Sequence, residues 1–90
     1  MKKSFVVIGL GRFGSSLARE LAKTSDDILA MDINPDNVQK VADFVSNCAI
    51  CDSTNKKDLQ ALGVASADHA IVAIGNNLES SIITTINLKA

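Results

Sequence analysis

The fold is decided by residues 4–14, which read Ser-Phe-Val-Val-Ile-Gly-Leu-Gly-Arg-Phe-Gly. The almost wholly apolar, β-branched run over 4–8 predicts a β-strand that is covered on both faces, as in a parallel sheet. Gly9, Gly11 and Gly14 follow it in the spacing G-x-G-x-x-G. After a strand and before a helix, this spacing is typical of a turn whose backbone approaches a pyrophosphate at the start of the helix.

The segment after the glycines has helical periodicity. Over 12–23, the apolar residues Phe13, Leu17 and Leu21 recur every four positions, while charged residues occupy the other side. We therefore predict a helix that packs this apolar side on the sheet.

Beyond this helix, short apolar runs continue to alternate with helical stretches, which indicates βαβ units around a parallel sheet. Right-handed crossovers would give four strands in the order 3-2-1-4. We expect an α/β fold with a Rossmann-like, doubly wound and incomplete sheet. The predicted strands are 4–8, 28–33, 48–51 and 70–74, and the predicted helices are 12–23, one begun by Asn34-Pro35, 55–62, and one from about 76 toward 90.

The composition limits the classes of protein. Ninety residues make at most one small domain, and 47% hydrophobic residues are enough for a packed core. A net charge of −1 without charged blocks gives no field for nucleic acid or a membrane surface. The longest apolar run is too short for a membrane-spanning helix or a signal peptide, so we expect a cytoplasmic protein.

An acid stands where a dinucleotide-binding turn requires one. Asp32 lies near the end of the second predicted strand, roughly 20 positions after the glycines, where a carboxylate accepts hydrogen bonds from a ribose. It would repel a 2′-phosphate, and no arginine follows to neutralise it, which disfavours NADP. The alternative is an ordinary acid at a strand end.

Arg12 is unusual because a cation in the first turn of a helix opposes the macrodipole by roughly 0.3–1 kcal/mol. A di- or triphosphate in the glycine turn would reverse this effect, since the guanidinium could bind its outer oxygens. The alternative is a solvated arginine that points away.

Two further segments end at the same predicted edge of the sheet, where ligands bind in open α/β folds. Asp52-Ser53-Thr54 follows the third strand, and Asp52 could either accept from an adenine amino group or cap the next helix. Ile74-Gly75-Asn76 follows the fourth strand, where its backbone would wall the crevice; a turn and helix cap is the alternative.

Catalytic and metal-binding residues are few. Cys48 and Cys51 are three apart in a predicted strand, so their thiols would diverge, and we expect two small buried side chains. With the single distant His69 they cannot complete a metal site. No nucleophile is paired with a base, so we expect no enzyme activity and no catalytic residue.

Five segments in register are more specific than the glycines alone. Together they resemble the N-terminal nucleotide-binding domain, called RCK or KTN, of the KtrA and TrkA regulators of bacterial potassium uptake. The resemblance covers the whole chain and is carried by Gly-Leu-Gly-Arg-Phe-Gly at 9–14, Met-Asp-Ile-Asn at 31–34, Cys-Asp-Ser-Thr at 51–54, Ala-Leu-Gly-Val at 61–64 and Ile-Val-Ala-Ile-Gly-Asn at 71–76.

This resemblance implies a regulatory subunit that forms dimers, commonly in an octameric ring, and gates a membrane potassium transporter from the inner face of the membrane. It implies ATP or ADP in the crevice, or NAD or NADH as in other members, and one domain over 1–90, truncated at its C-terminal end. It places phosphate at Arg12, the ribose side at Asp32, Ile33 and Asn34, adenine at Asp52 and Ser53, and the crevice wall at Ile74, Gly75 and Asn76. The other expected nucleotide-binding residues are those of the glycine turn, Gly9, Gly11, Phe13 and Gly14.

Two other functions fit the same residues. One is the N-terminal NAD-binding fragment of an oxidoreductase, whose catalytic groups would come from a second domain. The other is an assembly module with a vestigial nucleotide site.

Overall fold

The computed structural model describes residues 3–25, 27–74 and 83–85, which form one parallel sheet with helices on both faces. A short 3₁₀ turn, Val64–Ser66, precedes the last strand, and residues 83–85 are helical. The strands are β1 (Phe5–Ile8), β2 (Ile28–Asp32), β3 (Asn47–Ile50) and β4 (His69–Val72), and the helices are α1 (Arg12–Ala22), α2 (Pro35–Val41) and α3 (Lys56–Ala61).

The strand order is β3-β2-β1-β4, with every neighbouring pair parallel. The α/β fold class and the order expected from the sequence are therefore confirmed. In the register, Phe5 of β1 lies opposite Ile28 of β2 and His69 of β4. Because all four strands run the same way, their carboxyl ends meet at one edge.

Local signals explain where the helices begin and end. The Asn34 side chain accepts a hydrogen bond from the Asp36 N–H, and Pro35 occupies the first helical position, where its missing N–H costs nothing. Asn55 caps α3 in the same way. Gly63 follows α3 at φ +71°, a left-handed conformation that glycine adopts without strain.

The core forms two layers because successive residues of a strand point to opposite faces of the sheet. Val7 faces α1 and α2, whereas Val6 and Ile8 face α3. The first layer consists of Val7, Leu10, Ala18, Ala30, Val38 and Val41, and the second of Val6, Ile8, Met31, Cys51 and Leu59.

The structure corrects two expectations about burial. Phe13 does not pack on the sheet: it is 67% exposed, whereas the buried face of α1 consists of Gly14, Ser15 and Ala18. Cys48 is exposed, because β3 is an edge strand with solvent on one side, whereas Cys51 is buried as expected.

Some predicted features lie outside the described residues. These are Gly75, Asn76 and most of the last predicted helix. Within 3–25, 27–74 and 83–85, no helix has the length and apolar character needed to cross a membrane.

Candidate functional site

A cleft of about 700 Å³ lies at the carboxyl ends of the strands. All four strand ends contribute to its lining, through residues such as Gly9, Asp32, Cys51 and Ala73. The volume falls in the range of small-ligand sites, and the position is where open α/β sheets bind ligands.

Two of the three glycines are required by the packing of the turn itself. Gly9 has φ +96°, and a Cβ there would come within 2.8 Å of the Ala73 carbonyl group. A Cβ at Gly14 would collide with the carbonyl oxygen of Gly9. These two glycines therefore let the turn lie close to β4 and let α1 lie close to the turn.

Gly11 differs from the other two, because a Cβ on it would meet no atom within 4 Å. Its backbone is extended, at φ −68°, so another residue could adopt the conformation. Gly11 borders the cleft as the N-cap of α1, where no side chain of the described residues caps the helix and no acid stands in the first turn. Open space beside uncapped amides is a cradle that fits a phosphate group.

Arg12 and Phe13 line the cleft as the first residues of α1, and both are exposed. Within 3–25, 27–74 and 83–85, the one ion pair joins Lys23 to Glu20 at 3.0 Å. Arg12 has no carboxylate partner among these residues, and from its place in the cleft lining its guanidinium could bind an anion.

Asp32 connects three parts of the site. One carboxylate oxygen, Oδ2, accepts from the Leu10 N–H at 2.6 Å and from the Asn37 amide at 3.3 Å. The other, Oδ1, accepts from the Asn34 N–H at 2.8 Å. The carboxylate thus holds the glycine turn against β2 and the start of α2. An ionised carboxylate has about four acceptor positions, so these three bonds leave room for a ribose hydroxyl.

Of the residues expected beside Asp32, Ile33 borders the cleft and is 65% exposed. Asn34 is not part of the lining, because its side chain caps α2. Sequence reasoning missed Asn37, which lines the cleft one turn into α2. A polar side chain at that position is the signal that could have found it, since α2 begins at the same edge of the sheet.

Asp52 lines the cleft, but it does not cap α3, because Asn55 has that role. Its Oδ1 accepts from the Thr54 N–H at 3.0 Å and from the Thr54 hydroxyl at 2.6 Å. This is a turn closed by an aspartate side chain. Thr54 also lines the cleft, and the Asp-x-Thr spacing is the signal that sequence reasoning overlooked.

Ser53 borders the cleft between these two residues. Its hydroxyl lies 2.6 Å from the Thr84 hydroxyl, in a contact shielded from solvent. Ile74 also lines the cleft, whereas the neighbouring Gly75 and Asn76 are outside the described residues.

Cys51 is the remaining titratable group in the cleft wall. Burial raises the pKa of its thiol, and the charges of Asp58 and Asp52 raise it further. Cys51 is therefore a neutral thiol at neutral pH and lacks the thiolate character of a reactive cysteine. Among the residues that the structure describes, no group of three or more His, Cys, Asp or Glu could hold a metal ion.

Comparison with known proteins relates the chain to a family. The sequence profile of the TrkA-N domain matches residues 5–90. The Ktr system potassium uptake protein C of Bacillus subtilis is 48% identical over 99% of this chain and 40% of its own length. The Ktr system potassium uptake protein A of the same organism is 41% identical over 97% of this chain and 39% of its own length. The chain thus spans about two fifths of the length of these curated relatives.

A solved structure supports the fold. The NAD(P)-binding domain of an exopolyphosphatase-related protein from Archaeoglobus fulgidus superposes with a TM-score of 0.81. The match covers 98% of this chain and 65% of that one, at 22% sequence identity. At this identity the likeness concerns the Rossmann-like architecture alone.

Proposed function

The chain belongs to the TrkA-N domain family, and from that premise we propose that it senses nucleotides for a subunit that gates a membrane potassium transporter. The observation that carries the proposal is the open cradle at Gly11 beside the exposed guanidinium of Arg12, which lines the same cleft. Uncapped amides and a guanidinium at the start of one helix form a site for polyphosphate.

In this proposal, different residues of the cleft bind different parts of the nucleotide. The turn from Gly9 to Gly14, with Arg12 and Phe13, holds the phosphates. Asp32 accepts from the ribose, with Ile33 and Asn34 beside it. Asp52 and the backbone of Ser53 lie beside the adenine, and Ile74, Gly75 and Asn76 wall the crevice.

The proposed ligands are ATP and ADP, with NAD or NADH as the alternative. All four carry an adenosine and a pyrophosphate, which the glycine turn and Asp32 would bind alike. Arg12 is the residue that would distinguish a triphosphate from a diphosphate, because among the described residues of the cleft lining it is the one cation, and it is exposed. Contact between Arg12 and a third phosphate would favour one shape of the assembly, and a diphosphate, which lacks this contact, would favour another.

The proposed partner is a membrane potassium transporter, as the names of the Ktr system relatives suggest. The protein would act in the cytoplasm, at the inner face of the cell membrane. It would assemble as dimers, in an octameric ring, so that a change of shape at each cleft is transmitted to the transporter. No catalytic residue is assigned.

Titration calorimetry of the full-length protein with ATP, ADP, NADH and NADPH tests the function. We expect ATP and ADP to bind and NADPH to bind at least ~10-fold more weakly than NADH, since Asp32 repels a 2′-phosphate. Exclusive binding of NADH would favour the oxidoreductase fragment instead. Absence of binding by all four would contradict the proposal and favour an assembly module.

Arg12→Ala sharpens this test. This substitution should lower the affinity for ATP about 10-fold, which corresponds to the loss of one charge-assisted hydrogen bond, and leave the affinity for adenosine unchanged. Arg19→Ala is the matched control, because Arg19 lies further along the same helix over the Phe44 ring, 5.0 Å from its centroid. Equal losses for ATP and adenosine in Arg12→Ala would exclude phosphate contact by this residue.

A further inference from the structure

A buried pair of hydroxyl groups joins the cleft to a distant part of the chain. The Ser53 and Thr84 oxygens lie 2.6 Å apart, although the residues are 31 positions apart in sequence. Ser53 is 7% exposed and Thr84 is 0% exposed. A polar group at this depth is costly to leave without a partner, so this contact favours one arrangement of the two segments.

Ser53 belongs to the loop from 51 to 55 that forms one wall of the cleft, and the described contacts fix this loop from several sides. The Cys51 N–H donates to the Asp32 carbonyl at 3.0 Å, which joins the start of the loop to β2. The Asp52 carboxylate closes the turn to Thr54. The contact between Ser53 and Thr84 joins this loop to a residue 31 positions further along the chain.

The contact of the Ser53 hydroxyl with Thr84 has a consequence for the site. A hydroxyl engaged by a buried threonine is poorly placed to contact an adenine in the cleft. Ser53 therefore acts on the cleft through the position of its backbone and of its neighbours Asp52 and Thr54, both of which line the cleft.

We propose that Thr84, through its buried hydrogen bond to Ser53, is a positioning residue for the nucleotide cleft and couples its occupancy to the packing of the helical segment 83–85. This inference rests on the proposed function. A ligand that binds the loop in its observed place stabilises the packed segment, and by linkage a packed segment raises the affinity for the ligand by the same factor.

Four variants of the full-length protein test the coupling: Ser53→Ala, Thr84→Val, their combination, and Thr84→Ser. The readouts are ADP affinity by calorimetry and hydrogen exchange of the peptide that contains 83–85. We expect each single hydroxyl deletion to lower the ADP affinity about 5-fold, and the double variant to lose no more than either single one. Thr84→Ser keeps the hydroxyl and should retain wild-type affinity.

Hydrogen exchange gives the readout that a merely structural role would not move. In the wild-type protein, ADP should slow exchange of the 83–85 peptide, and in Thr84→Val this effect of ADP should disappear. Thr24→Val is the matched control. Thr24 is exposed just after the C-terminal end of α1, away from the cleft, and its hydroxyl donates to the Leu21 carbonyl. This variant should leave both readouts unchanged.

Several results would overturn the coupling. A loss of ADP affinity in Ser53→Ala but not in Thr84→Val would mean that the Ser53 hydroxyl contacts the nucleotide directly. Additive losses in the double variant would mean that the two hydroxyls act independently. A Thr84→Val variant with wild-type affinity and a wild-type response of the peptide to ADP would also refute it.

The proposed function can fail separately. If the wild-type protein binds no adenine nucleotide, both proposals are contradicted. If it binds ADP but the losses of ADP affinity in the two single variants add up in the double variant, only the coupling is contradicted. Urea unfolding shows whether a variant is folded. If Thr84→Val is unfolded, the other two single variants still test the coupling. In Ser53→Ala, ADP should no longer slow hydrogen exchange of the 83–85 peptide. In Thr84→Ser, ADP should slow this exchange as it does in the wild-type protein.

Discussion

The two ends of the parallel sheet differ in how their polar groups are used. At the amino end, side chains hydrogen-bond to backbone and close the structure. The Asp68 carboxylate accepts from the Ser4 N–H at 2.8 Å, the Ser25 hydroxyl donates to the Lys3 carbonyl at 2.9 Å, and the rings of Phe5 and His69 stack with centroids 5.4 Å apart. At the carboxyl end, glycines bring backbone to backbone, and the cleft is left open.

The amino end also has a hollow, of about 410 Å³, but its chemistry is different. Among the described residues, Asp27 is the only charged side chain in its lining, whereas the larger cleft contains Arg12. The start of α1 adds the positive end of a helix dipole to the carboxyl end. The cleft also contains the carboxylates of Asp32 and Asp52, so an anion is favoured only at the start of α1, where Arg12 and the helix dipole supply positive charge.

Gly14→Ala should have the largest effect on this contrast. The new methyl group would collide with the Gly9 carbonyl oxygen, so the turn must move away from α1. We expect the free energy of unfolding to fall by about 3 kcal/mol, the cost of overpacking against backbone, and nucleotide binding to be lost. Urea unfolding and calorimetry measure the two effects.

Gly11→Ala is the control for Gly14→Ala, because it adds the same methyl group at a position where that group meets no other atom. It should cost less than about 1 kcal/mol in stability, since no atom lies within 4 Å of its Cβ and alanine is only a poorer N-cap. It should still lower ATP affinity by at least ~10-fold by occupying the phosphate cradle. Equal stability losses at Gly11 and Gly14 would contradict the distinction between a packing glycine and a ligand glycine.

Asp32→Asn should have the next largest effect. Its carboxylate accepts from the N–H groups of Leu10 and Asn34, and an amide nitrogen would face one of these donors. We expect a loss of about 2 kcal/mol in unfolding free energy, typical of hydrogen bonds to a charged group. The discrimination between NADH and NADPH should also decrease. An unchanged stability would mean that Asp32 does not hold the glycine turn in place.

Ser25→Ala tests the amino end. The buried Ser25 hydroxyl donates to the Lys3 carbonyl and accepts from the Asp27 N–H at 3.2 Å. Its removal should cost about 1 kcal/mol in unfolding free energy and leave ATP affinity unchanged. A decrease in ATP affinity would show that the two ends of the sheet are not independent.

The two cysteines give the smallest effect. The raised pKa of Cys51 means that its contribution to stability is fully present below the ordinary thiol pKa and is lost as pH rises through the higher folded value. Between pH 8 and 10, the unfolding free energy of the wild-type protein should therefore fall more steeply than that of Cys51→Ala, by less than ~1 kcal/mol.

Alkylation provides the check on this pH effect. The exposed Cys48 should react with iodoacetamide at least ~10-fold faster than the buried Cys51 at pH 8. Cys48→Ala is the matched control for the stability measurement. Equal slopes in both cysteine variants would contradict the assignment of the pH dependence to Cys51.

Features that depend on neighbouring residues were predictable from the sequence. Asn34-Pro35 begins α2, Asn55 begins α3 and Gly63 ends it, because helix caps are made within one turn of chain. The strand order was also predictable, because right-handed crossovers leave few arrangements for four alternating strands.

Features that depend on where an element lies in the sheet were not predictable. The periodicity of α1 indicates that Phe13 packs on the sheet, but in the structure Phe13 is exposed and lines the cleft. Cys48 was expected to be buried, yet β3 is at the edge. For Asp52, the sequence left adenine contact and capping open, and the structure shows a turn to Thr54 beside the cleft.

The sequence by itself determined the alternation of strands and helices, the glycine turn and the presence of an acid after β2, because these follow from periodicity and local backbone chemistry. The tertiary structure alone decided what each polar group contacts. It joined Asp32 to Leu10 and Ser53 to Thr84, because hydrogen bonds between residues 22 and 31 positions apart form only once the sheet has brought the segments together.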